Sequence, residues 1–429
     1  MKSLLDKVNA KLNAQGGFLK AASILVSGTM VAQLINFITL PILTRIYSPS
    51  DFSIFAVYIS IIGILSTISC LRLEIAISIP KEDKEAFFLL MLALMVNAIF
   101  SLLIILILFF IKIVDIEINS LNKYELTWLI PIAIFFAGAY TSLQYWMSRK
   151  KKYKIIAKTR VKQALSGSLL QIILGLLSFG IVGLIIGQII KISSGFIVFI
   201  KEILMDLKIY IKEINIFQLK KIFIKYERFP KYSTFESLAN TAGNQIPIII
   251  IAIYSIGPEA GYLMLAMQIM AVPLRLIGSS IAQVYLVEAS KKYQEHNIRE
   301  FTLDCIKKLV FIGSLPLILI SCLAPLLISL IFGDQWHRTG EMIFWMFPLY
   351  FIQFIVSPTS MVLHITNNQN LALYFQIFGL TLRCGGLLLI GYLDNSYLFS
   401  SYVVLGFIFY LLYLGLIFYV IENNKFGDK

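Results

Sequence analysis

The sequence predicts an all-α membrane protein of twelve transmembrane helices, arranged as two six-helix bundles related by a pseudo-two-fold axis along the membrane normal. Three observations predict it: apolar runs of spanning length along the whole chain, a lopsided placement of lysine and arginine between them, and a motif that recurs half a chain later. The 429 residues are 58% hydrophobic and 14% charged, with a mean hydropathy of +0.82. A soluble domain is about 45–50% apolar and about 25% charged, so an ordinary soluble enzyme is excluded.

Runs of about 20 apolar residues, each sufficient to cross a hydrocarbon core of roughly 30 Å, fall near 21–43, 53–79, 86–111, 127–147, 163–180, 182–200, 233–255, 260–287, 308–332, 341–364, 371–391 and 397–421. The fifth and sixth are separated at SFGIVG, where only glycines mark a turn. The first 20 residues place Leu4, Val8 and Leu12 at helical spacing among Lys2, Lys7, Lys11 and Lys20. They suit a basic amphipathic helix on the inner membrane face. A cleaved leader is not expected, because the apolar run that follows is too long and lacks a small-residue cleavage site. Cys70, Cys305, Cys322 and Cys384 stand singly and read as small buried hydrophobes.

Of the 37 lysines and arginines, 29 fall in the N-terminus, the even-numbered connections and the C-terminus. Only Arg45, Lys112, Lys123 and Arg338 fall in the odd-numbered connections. Such an excess marks the cytoplasmic side, so both termini are expected there. The basic runs RKKKYK (149–154) and KKIFIKYERFPK (220–231) carry most of the net charge of +13. Topology and anionic membrane lipids account for them, and nucleic acid is not an expected partner. Four cations remain inside the expected spans: Arg72, Lys191, Arg275 and Arg383.

The motif IYSPSDFSIFAVYIS (46–60) is echoed by IYSIGPEAGYLMLAMQI (253–269), about 207 residues later. Each follows the first span of its half and sets a proline and an acid at a helix start, where they suit the unpaired donors and the dipole. The preceding spans, AQLINFITLP (32–41) and ANTAGNQIPI (239–248), both carry amides in an apolar run. The expected organisation is an amphipathic segment 1–20, a bundle 21–200, a cytoplasmic linker 201–231 and a second bundle 232–429, the bundles sharing one orientation.

No nucleotide-binding loop, paired-cysteine zinc site or HExxH motif occurs, and His296, His337 and His364 are isolated. No metal or cofactor is expected. The outer loops are short, the longest near 112–126, which leaves no carboxylate-bearing domain for a membrane glycosyltransferase or polymerase, so an enzyme is disfavoured. Gly183 and Gly187 form a GxxxG pattern suited to close helix packing.

GTMVAQLINFITLPILTRIYSPSDF (28–52), LRLEIAISIPKEDKEA (71–86), FPKYS (229–233), AGYLMLAMQIMAVPLRLIGSSIAQVYLVEA (260–289) and LIFGDQWHRTGE (330–341) resemble the polysaccharide-transporter family. These are the Wzx-type flippases for O-antigen and capsule repeat units, in the superfamily of MATE multidrug exporters and lipid II flippases. The resemblance runs from about residue 20 to residue 420 and is most specific in spans 1, 2, 7 and 8. It implies two bundles around a cavity that opens alternately to each side. The implied substrate is a polyprenyl-diphosphate-linked oligosaccharide, moved across the cell inner membrane for lipopolysaccharide or capsule biosynthesis. The implied partners are a polysaccharide polymerase and a chain-length regulator. Lipid II flippases carry two further C-terminal spans, for which this sequence has no room, and that argues against peptidoglycan precursor as substrate.

Arg72, about 20 residues down span 2, is expected in the inner third of the bilayer, either snorkelling beside Glu74 or greeting an anion at the cavity mouth. Lys191, Arg275 and Arg383 fall near mid-span, where a cation costs on the order of 2.5–3.5 kcal/mol. The few nearby acids (Glu74, Glu236 and Glu288) sit near the inner ends. These cations are therefore expected to face a wet cavity and meet a diphosphate there. Structural charges solvated by neighbouring helices are the competing reading. Asn36, Asn240, Asn244 and Gln245 offer partners to sugar hydroxyls, or pack helices through their amides. Pro273 is expected to kink span 8. Two rivals remain: a MATE-like exporter of organic cations, which wants acids in the cavity, and a membrane-embedded glycan polymerase or ligase.

Overall fold

The computed structural model describes residues 17–113, 126–210, 215–366 and 368–423. Lys123 and most of the amphipathic segment expected at 1–20 lie outside the described residues. Among those described, every regular element is helical.

The contacts divide the chain into two compact units, one of the residues before Ser48 with Ile61–Leu238, the other of Ser48–Ser60 with Ala239 onward. The first half of the sequence forms α1 (Gly17–Ile46), α2 (Pro49–Ile68), α3 (Leu73–Ala76), α4 (Asp83–Ile113), α5 (Leu129–Arg149), α6 (Tyr153–Leu176), α7 (Ile181–Tyr210) and α8 (Ile216–Lys225). The second half forms α9 (Thr234–Tyr254), α10 (Glu259–Pro273), α11 (Ser279–Gln294), α12 (Ile298–Phe332), α13 (His337–Thr359), α14 (Val362–Ile365), α15 (Gln369–Leu380), α16 (Gly386–Leu393) and α17 (Leu398–Asn423). Wide π turns at Leu274–Gly278 and Thr381–Gly385 carry α10 into α11 and α15 into α16.

Ten stretches among the described residues are long and apolar enough to cross a membrane. The other two expected spans are the helices α6 and α9, which have the length but are more polar. α6 begins at Tyr153, ten residues before the expected 163. Lys154, Lys158, Arg160 and Lys162 therefore belong to a helix and not to a connection. The turn at SFGIVG is present, with Ser178 and Gly180 at φ of +62° and +54°.

Span 2 is shorter than the sequence predicts. It begins at Pro49 and ends at Ile68, not at 53–79. The chain breaks there because Leu71 and Arg72 adopt left-handed φ values of +49° and +58°. Arg72 thus lies in a turn past the helix, not 20 residues down a continuous one. The start of α2 follows from SPSD: Ser48 N–H and Oγ donate to Asp51 Oδ2 at 3.0 and 2.8 Å, and Asp51 N–H donates back to Ser48 Oγ at 3.2 Å. That reciprocal cap, with Pro49 at the first helical position, satisfies donors the helix leaves open. In the echoed motif Pro258 caps α10, while Glu259 turns instead to Arg338 Nε at 3.3 Å.

In the first unit α6 packs along α1 and α7, and α5 along α4 and α7. A Cβ at Gly187 would collide with Gln171, so the GxxxG pattern is a close contact of α7 with α6. Exposed Leu102, Phe109 and Phe110 on α4, and Leu326 and Leu330 on α12, are apolar surface of the kind a bilayer covers. Cys70 and Cys384 are buried as expected, but Cys305 is half-buried and Cys322 exposed; all four thiols are free. Pro273 ends α10, and the wide turn that follows absorbs its missing N–H.

One end of the first unit is tied by charge. Arg149 donates to Pro80 O at 2.7 Å, Ile77 O at 3.3 Å and Asp83 Oδ1 at 2.9 Å, and Lys150 reaches Asp83 Oδ2 at 2.6 Å. Trp146 Nε1 donates to Asp206 at 3.0 Å. α8 lays Leu219 and Ile222 inward, and Lys225 Nζ and Tyr226 OH both donate to Glu85 Oε1, at 2.6 and 3.0 Å. That carboxylate holds the Lys225 ammonium charged above its ordinary range. Arg149→Ala strands the carbonyls of Ile77, Pro80 and Lys81 and leaves Asp83 to Lys150 alone, and should cost about 2–4 kcal/mol, read as a lower unfolding midpoint in detergent. Arg149→Lys should recover only part, because an ammonium cannot span the four acceptors that the planar fork reaches together; full recovery would contradict this role of the fork.

Candidate functional site

Each mid-helix cation of the sequence has a defined surrounding. Lys191, on α7, lies with its stem on Gly167 of α6, and its Nζ donates to Asn36 Oδ1 of α1 at 2.8 Å. Two residues singled out separately in the sequence thus form one pair. That partner is a neutral amide.

Arg383 is only 5% exposed and sits on the wide turn Thr381–Gly385. Its Nε donates to Gly379 O at 3.0 Å and its Nη1 to Asn244 Oδ1 at 2.8 Å. The guanidinium carbon lies 4.3 Å from the centre of the Phe409 ring, a cation–π distance. The remaining Nη2 is buried without a hydrogen-bond partner. Asn244 is steadied in turn, its Nδ2 donating to Asn240 O at 3.0 Å and lying 3.4 Å from Asn240 Oδ1. Gly243 makes the approach possible, since any Cβ there would strike Nη2. Arg383, Asn244 and Asn240 are one linked cluster. Gln245, beside it in sequence, turns elsewhere and accepts from Ser60 Oγ at 3.1 Å.

Arg275 also lies on a wide turn, Leu274–Gly278, with an exposed side chain. Such turns arise where an extra residue is accommodated in a helix, and they gather at functional sites. Sequence reasoning missed the groups between the two arginines. Tyr350, within electrostatic reach of Arg275, shares a hydroxyl contact with Tyr402, and Tyr402 and Tyr410 lie within reach of Arg383. Gln353 contacts the Tyr410 hydroxyl. The available signal was spacing: Tyr350 and Gln353 are three apart on α13, and Tyr402 and Tyr410 eight apart on α17, so each pair shares a helix face. Arg160 was also missed; on α6 it donates to Thr29 Oγ1 of α1.

Arg72 is paired with an acid. Its Nη1 lies 3.6 Å from Glu74 Oε1, and Glu74 is 4% exposed. Burial pushes the Glu74 carboxyl above the ordinary carboxylate range, a rise that a backbone hydrogen bond and Arg72 oppose. Among the described residues no group of three or more histidines, cysteines or acids could hold a metal ion.

Helices of spanning length with cations set beside amides and tyrosines mark a polytopic membrane protein, and its fold is that of MATE transporters and the lipid II flippase MurJ. The chain superposes on a MurJ structure, titled an inward closed conformation, with a TM-score of 0.72 and 14% identity, over 94% of this chain and 93% of that one. An inward-facing multidrug MATE transporter gives a TM-score of 0.69 and 15% identity, over 95% of this chain and all of that one. A point mutant of the Vibrio cholerae MATE transporter VcmN gives 0.58 and 12%, over 97% and 98%. By sequence, residues 42–341 match the polysaccharide biosynthesis protein family, and the chain belongs to it. The teichuronic acid biosynthesis protein TuaB of Bacillus subtilis (strain 168) is 26% identical over 207 residues, which are 46% of this chain and 41% of that protein.

The clusters differ in enclosure, and so should their mutants. Asn244→Ala removes the acceptor of a buried arginine and should destabilise by about 1.5–3 kcal/mol. Asn36→Ala should cost less, because Lys191 is half-buried and water can replace the amide. Unfolding midpoints of the two variants in detergent test this; an equal or larger loss for Asn36→Ala would contradict it.

Proposed function

We propose that this protein is a flippase. It translocates polyprenyl-diphosphate-linked oligosaccharide repeat units across the cytoplasmic membrane by alternating access, for a surface polysaccharide such as O-antigen or capsule. The observation that carries the reading is the way the mid-helix cations are held. Arg383 is solvated by the Gly379 carbonyl, Asn244 and the Phe409 ring rather than by a carboxylate, and Lys191 donates to the Asn36 amide. Positive charge is thus retained within apolar helices, where an anion of low hydration is the natural complement. A diphosphate between a lipid and a sugar is such an anion, and its polyprenyl tail stays in the bilayer while the head crosses. Family membership and the names of MurJ and TuaB support the same direction.

In this reading Lys191, Arg275 and Arg383 meet the diphosphate, Arg72 is a first contact at the cytoplasmic mouth, and Asn36, Asn240, Asn244 and Gln245 serve sugar hydroxyls or hold the cations. Both termini are cytoplasmic, following the distribution of lysine and arginine. No bond is made or broken. The fold shared with MATE transporters favours a second reading, export of small organic cations. Retained positive charge disfavours it, because such a substrate needs carboxylates.

Loss of the protein should abolish the surface polysaccharide while lipid-linked repeat units accumulate on the cytoplasmic leaflet. Repeat units that reach the outer leaflet and fail to polymerise would instead identify a polymerase. Cysteine at Arg338 should label from outside in intact cells, and cysteine at Lys152 or Lys225 should not; external labelling at 152 would overturn the orientation.

A further inference from the structure

Buried polar atoms without partners are concentrated in one seam of the first unit. Eight such side-chain atoms occur among the described residues, and four of them are Arg72 Nε, Glu74 Oε2, Asn97 Oδ1 and Ser101 Oγ. The seam is continuous. Asn97 Oδ1 and Ser69 Oγ both crowd Gly138, where any Cβ would collide with them. Ser69 Oγ lies 3.8 Å from Cys70 Sγ, which lies 3.4 Å from Ser142 Oγ. Cys70 is in turn within electrostatic reach of Glu74. Native structures leave few buried polar groups unpaired, and a cluster of them signals a group whose protonation or partner changes in use.

Glu74 is the group in the seam that can change. Its ion-pair partner among the described residues is Arg72, at 3.6 Å, and its second oxygen has no partner there. Two successive residues of the turn, Leu71 and Arg72, are left-handed, and neither is a glycine. Strain of this kind persists where surroundings over-determine it, and it collects at switching sites. The other titratable groups around the carboxyl are accounted for. Cys70 and, from α5, Tyr145 act on it or feel it. On α4, Asp83 is bound by Arg149 and Lys150, and Glu85 by Lys225 and Tyr226. Lys231, on the wide turn Phe229–Ser233 that packs against α3, pairs with Glu227 at 2.8 Å. Among the described residues Arg72 is the cation that offsets the Glu74 charge.

We propose that Glu74 is a proton-binding site and that its protonation releases Arg72 to bind a phosphate of the substrate. The carboxylate takes one proton from water and becomes a neutral acid; Arg72 keeps its charge, so the pair passes from net zero to +1, which the phosphate cancels. Proton and phosphate therefore bind together, each raising the affinity for the other by the same factor. The role given to Arg72 rests on the flippase reading; the proton site itself does not.

The test is infrared titration of the purified full-length protein in lipid nanodiscs. A carbonyl band of a protonated carboxylic acid should persist well above the ordinary glutamate range near about 4.3. It should vanish in Glu74→Gln and return in Glu74→Asp. Arg72→Gln should shift its midpoint upward by about one pH unit or more, a tenfold gain in proton affinity, because the opposing charge is gone. A polyprenyl diphosphate added as probe should strengthen the band in the wild type, with proton uptake seen as a heat that depends on the buffer's ionisation enthalpy. A Glu74 that titrates in the ordinary range, or a midpoint indifferent to Arg72→Gln, overturns the proton site. A band that behaves as described but ignores the probe overturns the release of Arg72. If band and probe respond while vesicles fail to flip the lipid-linked oligosaccharide, the flippase reading alone fails.

Discussion

A cation taken out of water must be solvated by something else, and for the buried Arg383 the substitute is a set of dipoles rather than an acid. Placing a charge at the centre of a spanning helix costs on the order of 2.5–3.5 kcal/mol. Partial dipoles can lower that cost without removing the charge. Asn36 does so for Lys191. For Arg383 the work is divided among the Gly379 carbonyl, Asn244 and the face of Phe409. Had carboxylates been used, the pairs would be neutral and of no use to an anion. Amides, carbonyls and rings solvate a cation without cancelling its charge.

Much of the local architecture serves that constraint. The backbone widens to π turns where Arg275 and Arg383 sit, and Gly243 is bare where the guanidinium of Arg383 approaches α9. Tyr350, Tyr402 and Tyr410 then place hydroxyls between the two arginines. Arg72 and Glu74 are the contrasting case, a cation with an acid beside it but with poor geometry, held by a strained backbone. A buried ion pair is weak evidence for stability, and here one carboxylate oxygen is without a partner.

The fold was legible because hydropathy reads burial in lipid directly. The helix starts at Ser48–Asp51 and Pro258–Glu259 were legible because capping chemistry is local. The beginning of α6 was not, since Lys154, Lys158, Arg160 and Lys162 look like a connection until the helix carries them past its end. The break after Ile68 was hidden as well, because left-handed backbone is usually announced by glycine or asparagine, and here it falls on Leu71 and Arg72. Of the site, the cations and amides could be named from sequence, but their pairing depends on which helices adjoin. The tyrosines passed unnoticed because hydropathy counts them with the apolar residues, while their hydroxyls act only once packed beside an arginine.

Whether the mid-helix cations are kept charged for an anionic substrate is read from the rate at which reconstituted vesicles flip a lipid-linked oligosaccharide, compared at equal amounts of folded protein. Lys191→Ala, Arg275→Ala and Arg383→Ala should each slow flipping by about tenfold or more, the effect of about 1.4 kcal/mol on the barrier. Arg275→Lys should fall between wild type and Arg275→Ala, since it keeps the charge but loses the two-pronged grip on phosphate. If all three alanine variants fold normally and flip at the wild-type rate, the charges are structural and the account is wrong.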